Sequence, residues 1–239
     1  MKKAVVFDLD GTLANTLASL AYCTNRALAD FGYPPIEAEH FRKFVGNGAR
    51  MQITRALRFL GVEETPVELE EALKKGRKPD EDGFFTEPKG LDEILSHYMD
   101  YFSKDCLYAV TPYPGIPELL SALKQKGIML AVLSNKPDAQ TKDVVEGLFG
   151  TSGFDLVMGQ NSQRRKKPAP DGVEEIEKAF GIGPEEVLYA GDSGVDMDTA
   201  KAAGVTAVGV CWGFRTAEEL KQHGADILIQ RPEEMLECL

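Results

Sequence analysis

The stretch that most constrains this chain is Ala4-Val5-Val6-Phe7-Asp8-Leu9-Asp10-Gly11-Thr12. Four apolar residues in a row, two of them β-branched, follow charge and precede Gly11. They read as a strand buried on both faces, the kind that parallel sheets in α/β proteins provide. Residues i and i+2 of an extended chain share a side, so Asp8 and Asp10 are expected to converge on one site. Gly11 permits a sharp backbone turn, and Thr12 offers a hydroxyl and an amide where a helix can begin. Two carboxylates held close together repel unless positive charge lies between them, and a hard divalent cation taking oxygen ligands answers that need. The same residues also suit an Asp-Gly turn that merely closes a core strand, and this stretch alone leaves both readings open.

Downstream, residues 14–108 show no strand pattern. Asn15 and Thr16 are placed to cap a helix running to about Phe31, stopped by Gly32-Tyr33-Pro34-Pro35. A second helical stretch begins near Glu37 and ends at Val45-Gly46-Asn47-Gly48, and a third spans about Ala49 to Leu60. Charged, helix-prone sequence from Glu63 to Lys75 leads into a loop-like segment at 76–83, and a further helix is expected over Leu91–Phe102.

After Pro112-Tyr113-Pro114-Gly115 helix and strand alternate. Strands are expected over Ile128–Leu133, Phe154–Met158, Val187–Ala190, Thr206–Val210 and Ile227–Ile229. The helices between them cover Pro117–Lys126, Ala139–Phe149, Asp171–Phe180 and Asp196–Ala203. The fold class that follows is α/β, a doubly wound parallel sheet of Rossmann-like form, with an all-helical block inserted after the first strand. The expected division is a core of residues 1–13 and 109–239 and a cap of residues 14–108.

In open doubly wound sheets ligands bind beyond the carboxyl ends of the strands. The first strand ends in Asp8 and Asp10, the second in Ser134 and Asn135. The third leads through a polar loop to Arg164-Arg165-Lys166-Lys167-Pro168, and the fourth ends in Asp192, with Asp196 one turn on. Acids, a hydroxyl and a cation therefore gather at one rim, which suits a divalent metal plus a phosphoryl group. Lys167, its backbone fixed locally by Pro168 and Pro170, is the candidate cation, while Arg164 to Lys166 read as solvated charges. Asp198, Glu185 and Glu186 read as surface or helix-start charges.

The formal net charge of −11, with no long basic stripe against it, disfavours a nucleic-acid or anionic-membrane role. Cys23, Cys106, Cys211 and Cys238 are scattered, and His40, His97 and His223 lack ligand spacing, so a zinc site is disfavoured and reduced thiols in a cytoplasmic protein are expected. The apolar run after Lys2 and Lys3 breaks at Asp8 too early for a signal peptide, and no stretch reaches transmembrane length. Oligomeric state cannot be read from the sequence.

The motifs D-L-D-G-T at 8–12, Ser134 after an apolar strand, Lys167 before Pro168, and G-D-S-x-x-D at 191–196 resemble, in order, the four motifs of the haloacid dehalogenase superfamily. The helical insertion, V-G-N-G-A at 45–49, R-A-L at 55–57, S-N-K-P at 134–137 and K-K-P-A-P-D at 166–171 are similar to the phosphoglycolate phosphatase group within it, and the likeness covers essentially the whole chain. Asn15 stands where the family usually has an acid, and Ser134 where Thr is more usual. The cap segment from about 62 to 90 matches no family pattern.

The resemblance implies a two-step phosphoryl transfer to a small-molecule phosphate ester, with phosphoglycolate the leading candidate. Asp8 is then the nucleophile and Asp10 the general acid and base. Mg²⁺ is held by the Asp8 carboxylate, the Asp10 backbone carbonyl and Asp192. Gly11, Thr12, Ser134, Asn135 and Lys167 hold the phosphoryl group, and Asp196 orients Lys167 or a metal-bound water. Gly46, Asn47 and Gly48 are the candidate specificity loop of the cap. A β-phosphoglucomutase-like mutase shares this chemistry and is the main alternative. A metal-independent haloacid dehalogenase would lack the second acid, and a non-enzymatic phospho-receiver would carry no cap.

Overall fold

The computed structural model describes residues 1–66 and 86–239. Six parallel strands form the central sheet in the order β10-β9-β8-β1-β6-β7, where β1 is Ala4–Phe7, β6 Met129–Pro137, β7 Leu156–Gln160, β8 Val187–Gly191, β9 Thr206–Val210 and β10 Ile227–Ile229. The first strand of the sequence thus lies inside the sheet, between β6 and β8, and its carboxyl end opens between theirs.

Alternation along the strands builds two cores. Val5, Phe7, Leu130, Val132, Leu188 and Ala190 face one side, and Ala4, Val6, Ala131, Leu133, Val187 and Tyr189 face the other. Strands with both faces buried cannot alternate with polar residues, which is why they read as continuous apolar runs. The second face is covered by α6 (Asp171–Phe180) and α7 (Gly194–Ala203), whose Val173, Ile176, Met197 and Ala200 are buried there. On the first face lie α4 (Ile116–Gln125) and α5 (Asp138–Phe149), through Ile116, Leu119, Leu123, Val144 and Val145. A short α8 (Ala217–Gln222) follows β9.

The insertion contributes α1 (Leu17–Asp30), a 3₁₀ turn at Ala38–Lys43, α2 (Ala49–Phe59) and α3 (Leu91–Asp105). Leu20, Leu28, Ile53, Leu57, Ile94, Tyr98 and Phe102 belong to the same apolar cluster as the first face of the sheet, so the insertion and the sheet share one continuous core. The chain leaves through β2 (Ala14–Asn15) and returns through β5 (Thr111–Pro112), and these two pairs of residues are antiparallel partners.

The insertion is not all-helical, as the sequence pattern had suggested. Glu64–Pro66 (β3) and Thr86–Pro88 (β4) form a two-stranded antiparallel pair. Each strand is three residues long and ends in proline, too short to show alternation. The helix expected over 63–75 is therefore strand at 64–66. Its remainder, and the loop expected at 76–83, lie outside the described residues. Arg164 is also not solvated. Its side chain is 7% exposed, pairs with Glu175 at 2.9 Å and donates to the Gly159 carbonyl, tying the polar loop to the end of β7. No described helix is long and apolar enough to cross a membrane.

Candidate active site

The carboxyl ends of β1, β6 and β8 bring most of the rim residues together. Asp8 continues β1, its N–H donating to the Ala190 carbonyl of β8 at 2.9 Å, and its side chain is buried. Lys167 Nζ lies 2.8 Å from Asp8 Oδ1 and 2.7 Å from Asp196 Oδ1. Asp196 is locked in turn. Its Oδ2 accepts from the Ser193 N–H at 3.1 Å and hydroxyl at 2.6 Å in a capping box that starts α7, and Tyr189 donates to its Oδ1 at 3.3 Å. Asp192 accepts from the Phe214 N–H at 2.7 Å.

Gly11 has φ +85°, and a Cβ there would lie 2.1 Å from Asp192 Oδ2. A Cβ on Gly213 would lie 2.3 Å from the Asp192 Cβ. Both glycines are therefore required for the backbone to approach this carboxylate. Thr12 is fully buried, and its Oγ1 has no hydrogen-bond partner among the described residues.

Electrostatics of the cluster follow from burial. Burial pushes the Asp8 carboxyl up to about 7, with Asp196 and Asp10 adding and Lys167 opposing. Asp192 is raised well above the carboxylate range by burial, then by Asp196 and Asp8. Burial works against the Lys167 ammonium, yet Asp196 and Asp8 outweigh it and hold the group charged well above its ordinary range. Asp8, Asp192 and Asp196 can each bring one oxygen within 4.8 Å of the others. An all-oxygen donor set of three buried carboxylates fits a hard divalent cation.

Asp10 has its own partners and lines one cavity with Asp8. Its Oδ1 accepts from the Thr16 hydroxyl at 2.6 Å and lies 3.0 Å from Lys136 Nζ. A cavity of about 30 Å³ opens onto Asp8, Asp10, Ser134 and Lys136 from the sheet side. From the insertion it meets Val45, Gly46, Gly48, Ala49 and Gln52, with Leu20, Tyr98 and Phe102 as walls. Ser134, buried, accepts from the Lys136 N–H at 3.3 Å.

Asn135 does something other than present its amide to a phosphoryl group. Its Nδ2 donates to the Gly46 and Lys167 carbonyls at 3.0 and 3.1 Å, and its Oδ1 accepts from the Lys167 N–H at 2.9 Å. Both amide N–H groups are spent on backbone. The side chain fixes Lys167 and fastens the 46–48 loop to the sheet. Within that loop Gly46 and Gly48 line the cavity, whereas the Asn47 side chain accepts from Arg55 at 2.8 Å and its carbonyl from Lys166 Nζ at 3.0 Å.

Sequence reasoning missed Lys136, Thr16 as a partner of Asp10, and the Gly213-Phe214 backbone at Asp192. Lys136 was findable, because it stands two residues beyond Ser134 on one strand, as Asp10 stands two beyond Asp8. Nothing local in the sequence marks Gly213-Phe214.

The family model for haloacid dehalogenase-like hydrolases matches residues 5–210. The phosphoglycolate phosphatase of Rhodospirillum rubrum is 32% identical over 214 residues, covering 90% of this chain and 81% of that one. The phosphoglycolate phosphatase of Escherichia coli K12 is 30% identical over 238 residues, covering 99% and 92%. A crystal structure from Lactobacillus delbrueckii subsp. bulgaricus, assigned but not demonstrated to be a phosphoglycolate phosphatase, superposes with a TM-score of 0.85 at 33% identity, covering 100% of this chain and 98% of that one.

Proposed function

The chain belongs to the haloacid dehalogenase-like hydrolases and is a phosphatase, and we propose that it hydrolyses a small phosphomonoester, 2-phosphoglycolate first among them, through a phosphoaspartate on Asp8 with Mg²⁺ as cofactor. The observation that carries this reading is the Lys167 ammonium held 2.8 Å from Asp8 Oδ1, with a second carboxylate, Asp10, lining the same cavity. The named relatives support phosphoglycolate as the ester.

An Asp8 carboxylate oxygen attacks phosphorus, and the bond from phosphorus to the ester oxygen breaks. Asp10 gives its proton to that oxygen, so the alcohol leaves neutral. The ionised Asp10 then takes a proton from water as the water oxygen attacks phosphorus, and Asp8 is released as a carboxylate with orthophosphate. Lys167, held in place by Asp196 and by Asn135, offers positive charge to the phosphoryl oxygens, and the Ser134 and Thr12 hydroxyls and the backbone around Gly11 complete the cradle. The Asp8 carboxylate, the Asp10 backbone carbonyl and Asp192 would hold the Mg²⁺. When bound, this ion supplies the charge that lets a carboxylate approach a phosphate dianion.

Residues 14–108 act as the cap over a core of 1–13 and 109–239. The antiparallel pairing of Ala14–Asn15 with Thr111–Pro112, at the two crossings, supports that division. Four free cysteines suit a cytoplasmic setting. The test is phosphate release from a panel of phosphate esters. Phosphoglycolate should be among the best, turnover should stop in EDTA and Mg²⁺ should restore it. Full turnover in chelator would overturn the metal-dependent mechanism.

A further inference from the structure

Lys136 sits on β6 with its side chain 2% exposed, yet its ammonium is poorly satisfied. Nζ has Asp10 Oδ1 at 3.0 Å and the face of the Phe102 ring at 4.6 Å, but no acceptor in hydrogen-bonding geometry among the described residues. An ammonium carries three donors, and a buried one left without acceptors is costly. Lys136 is also the single cationic side chain among the described residues lining the cavity. Lys167, the other buried lysine of the site, is directed to Asp8 and Asp196.

Position gives this unspent charge a meaning. Asp8 marks where phosphorus must lie, and Asp10, as proton donor, marks the ester oxygen. Lys136 Nζ is a hydrogen-bond length from Asp10 Oδ1 and lies over Phe102, a cavity wall supplied by the insertion. It therefore stands beside the proton donor, within reach of a leaving group that Asp10 protonates. We propose that Lys136 forms an anion subsite for the leaving group, selecting phosphomonoesters whose alcohol bears a carboxylate close to the ester oxygen. This deepens the phosphatase reading above and rests on it. In phosphoglycolate the carboxylate carbon is two bonds from the ester oxygen, so one ammonium reaches the carboxylate while Asp10 meets the ester oxygen. The rival role for Lys136 is to neutralise Asp10 and pack on Phe102, which would affect all substrates alike.

The experiment compares 2-phosphoglycolate with its uncharged amide, 2-phosphoglycolamide, in wild type and in Lys136→Met. Wild type should favour the carboxylate. The variant should lose about 10- to 100-fold more kcat/KM on phosphoglycolate than on the amide, the range of one charge-assisted hydrogen bond. Equal losses on both esters would overturn the subsite. A wild type that hydrolyses neutral phosphate esters but not phosphoglycolate would overturn the substrate reading, and the subsite with it. If Lys136→Met does not fold, wild type alone decides through competitive inhibitors. 3-Phosphonopropionate should bind at least about 10-fold more tightly than propylphosphonate, and equal inhibition would overturn the subsite.

Discussion

Thr16 donates its hydroxyl to Asp10 Oδ1 over 2.6 Å, although it occupies the N-cap of α1, where that hydroxyl would ordinarily accept from the helix's own N–H groups. The cap interaction is given up to hold a carboxylate. It ties the first helix of the insertion to the proposed proton donor. Thr16→Val keeps the shape and removes the hydrogen bond. Its kcat should fall by about 10-fold or more, in line with one hydrogen bond to a charged group, with a smaller change in KM. Steady-state kinetics checks this, and an unchanged kcat would mean that Lys136 alone positions Asp10.

Asp8 and Asp10 are assigned different roles and should fail differently. Asp8→Asn removes the nucleophile, so no phosphoenzyme should form. Asp10→Asn keeps the backbone carbonyl but cannot move a proton, which is typically worth about 10²–10⁴-fold in rate. With p-nitrophenyl phosphate, whose leaving group needs little protonation, Asp10→Asn should still phosphorylate Asp8 and then stall. Intact-mass measurement on acid-quenched protein should show a phosphoryl adduct in Asp10→Asn only. An adduct in Asp8→Asn would place the nucleophile elsewhere.

Gly11→Ala joins two penalties. The backbone is at φ +85°, and the new Cβ would lie 2.1 Å from Asp192 Oδ2. Strain at a left-handed position costs about 1–3 kcal/mol before any clash is counted. The melting temperature should fall by several degrees, and the displaced Asp192 should weaken the midpoint of Mg²⁺ activation. Gly32→Ala is the control, since φ is +76° there but no atom lies within 4 Å. It should lose stability without changing the Mg²⁺ midpoint.

What the sequence revealed and what it hid divide along one physical line. Asp8 and Asp10, Ser134 and Asp192 were legible because each follows an apolar strand, and strand ends in a parallel sheet share one rim. Lys136 obeys the same alternation, two residues beyond Ser134 on β6. Asn135 was misread. Its amide partners include Gly46, 89 residues away, and no local pattern reports where a side chain finds backbone at that range. The β3–β4 pair and the β2–β5 crossing escaped because strands of two or three residues carry no period.

Asn135 nevertheless yields a separable test. Asn135→Ala removes all three of its contacts, releasing the Gly46 loop and leaving the Lys167 N–H without its acceptor. Lost buried hydrogen bonds cost about 1–3 kcal/mol each at most, so stability and kcat should both fall. Asn47→Ala breaks the contact with Arg55 only on its side-chain face. It should alter KM and substrate preference while leaving the Mg²⁺ midpoint unchanged. A substrate profile untouched by Asn47→Ala and by changes at Gly46 and Gly48 would make the loop purely structural.

The raised Asp8 carboxyl makes stability depend on pH in a defined direction. Unfolded, the group titrates near 3.8, and in the metal-free fold burial lifts it to about 7. Between those values the folded state binds more protons than the unfolded chain, so stability falls as pH rises. The contribution is complete below about pH 4 and is lost by the time pH passes about 7. Asp192, raised by the same burial and by Asp196 and Asp8, acts in the same sense. The metal-free melting temperature should therefore decline from pH 5 to pH 8. A divalent cation favours the ionised carboxylates, so the increase in melting temperature on adding Mg²⁺ should be larger at pH 8 than at pH 5. Asp8→Asn removes the buried charge. It should melt higher than wild type at pH 8 without metal, and show a flatter pH dependence and a smaller response to Mg²⁺. Thermal melts across this range in EDTA and in Mg²⁺ give all three comparisons. An Mg²⁺ response of the same size at both pH values, or one unaltered in Asp8→Asn, would show that the ion does not bind at this cluster.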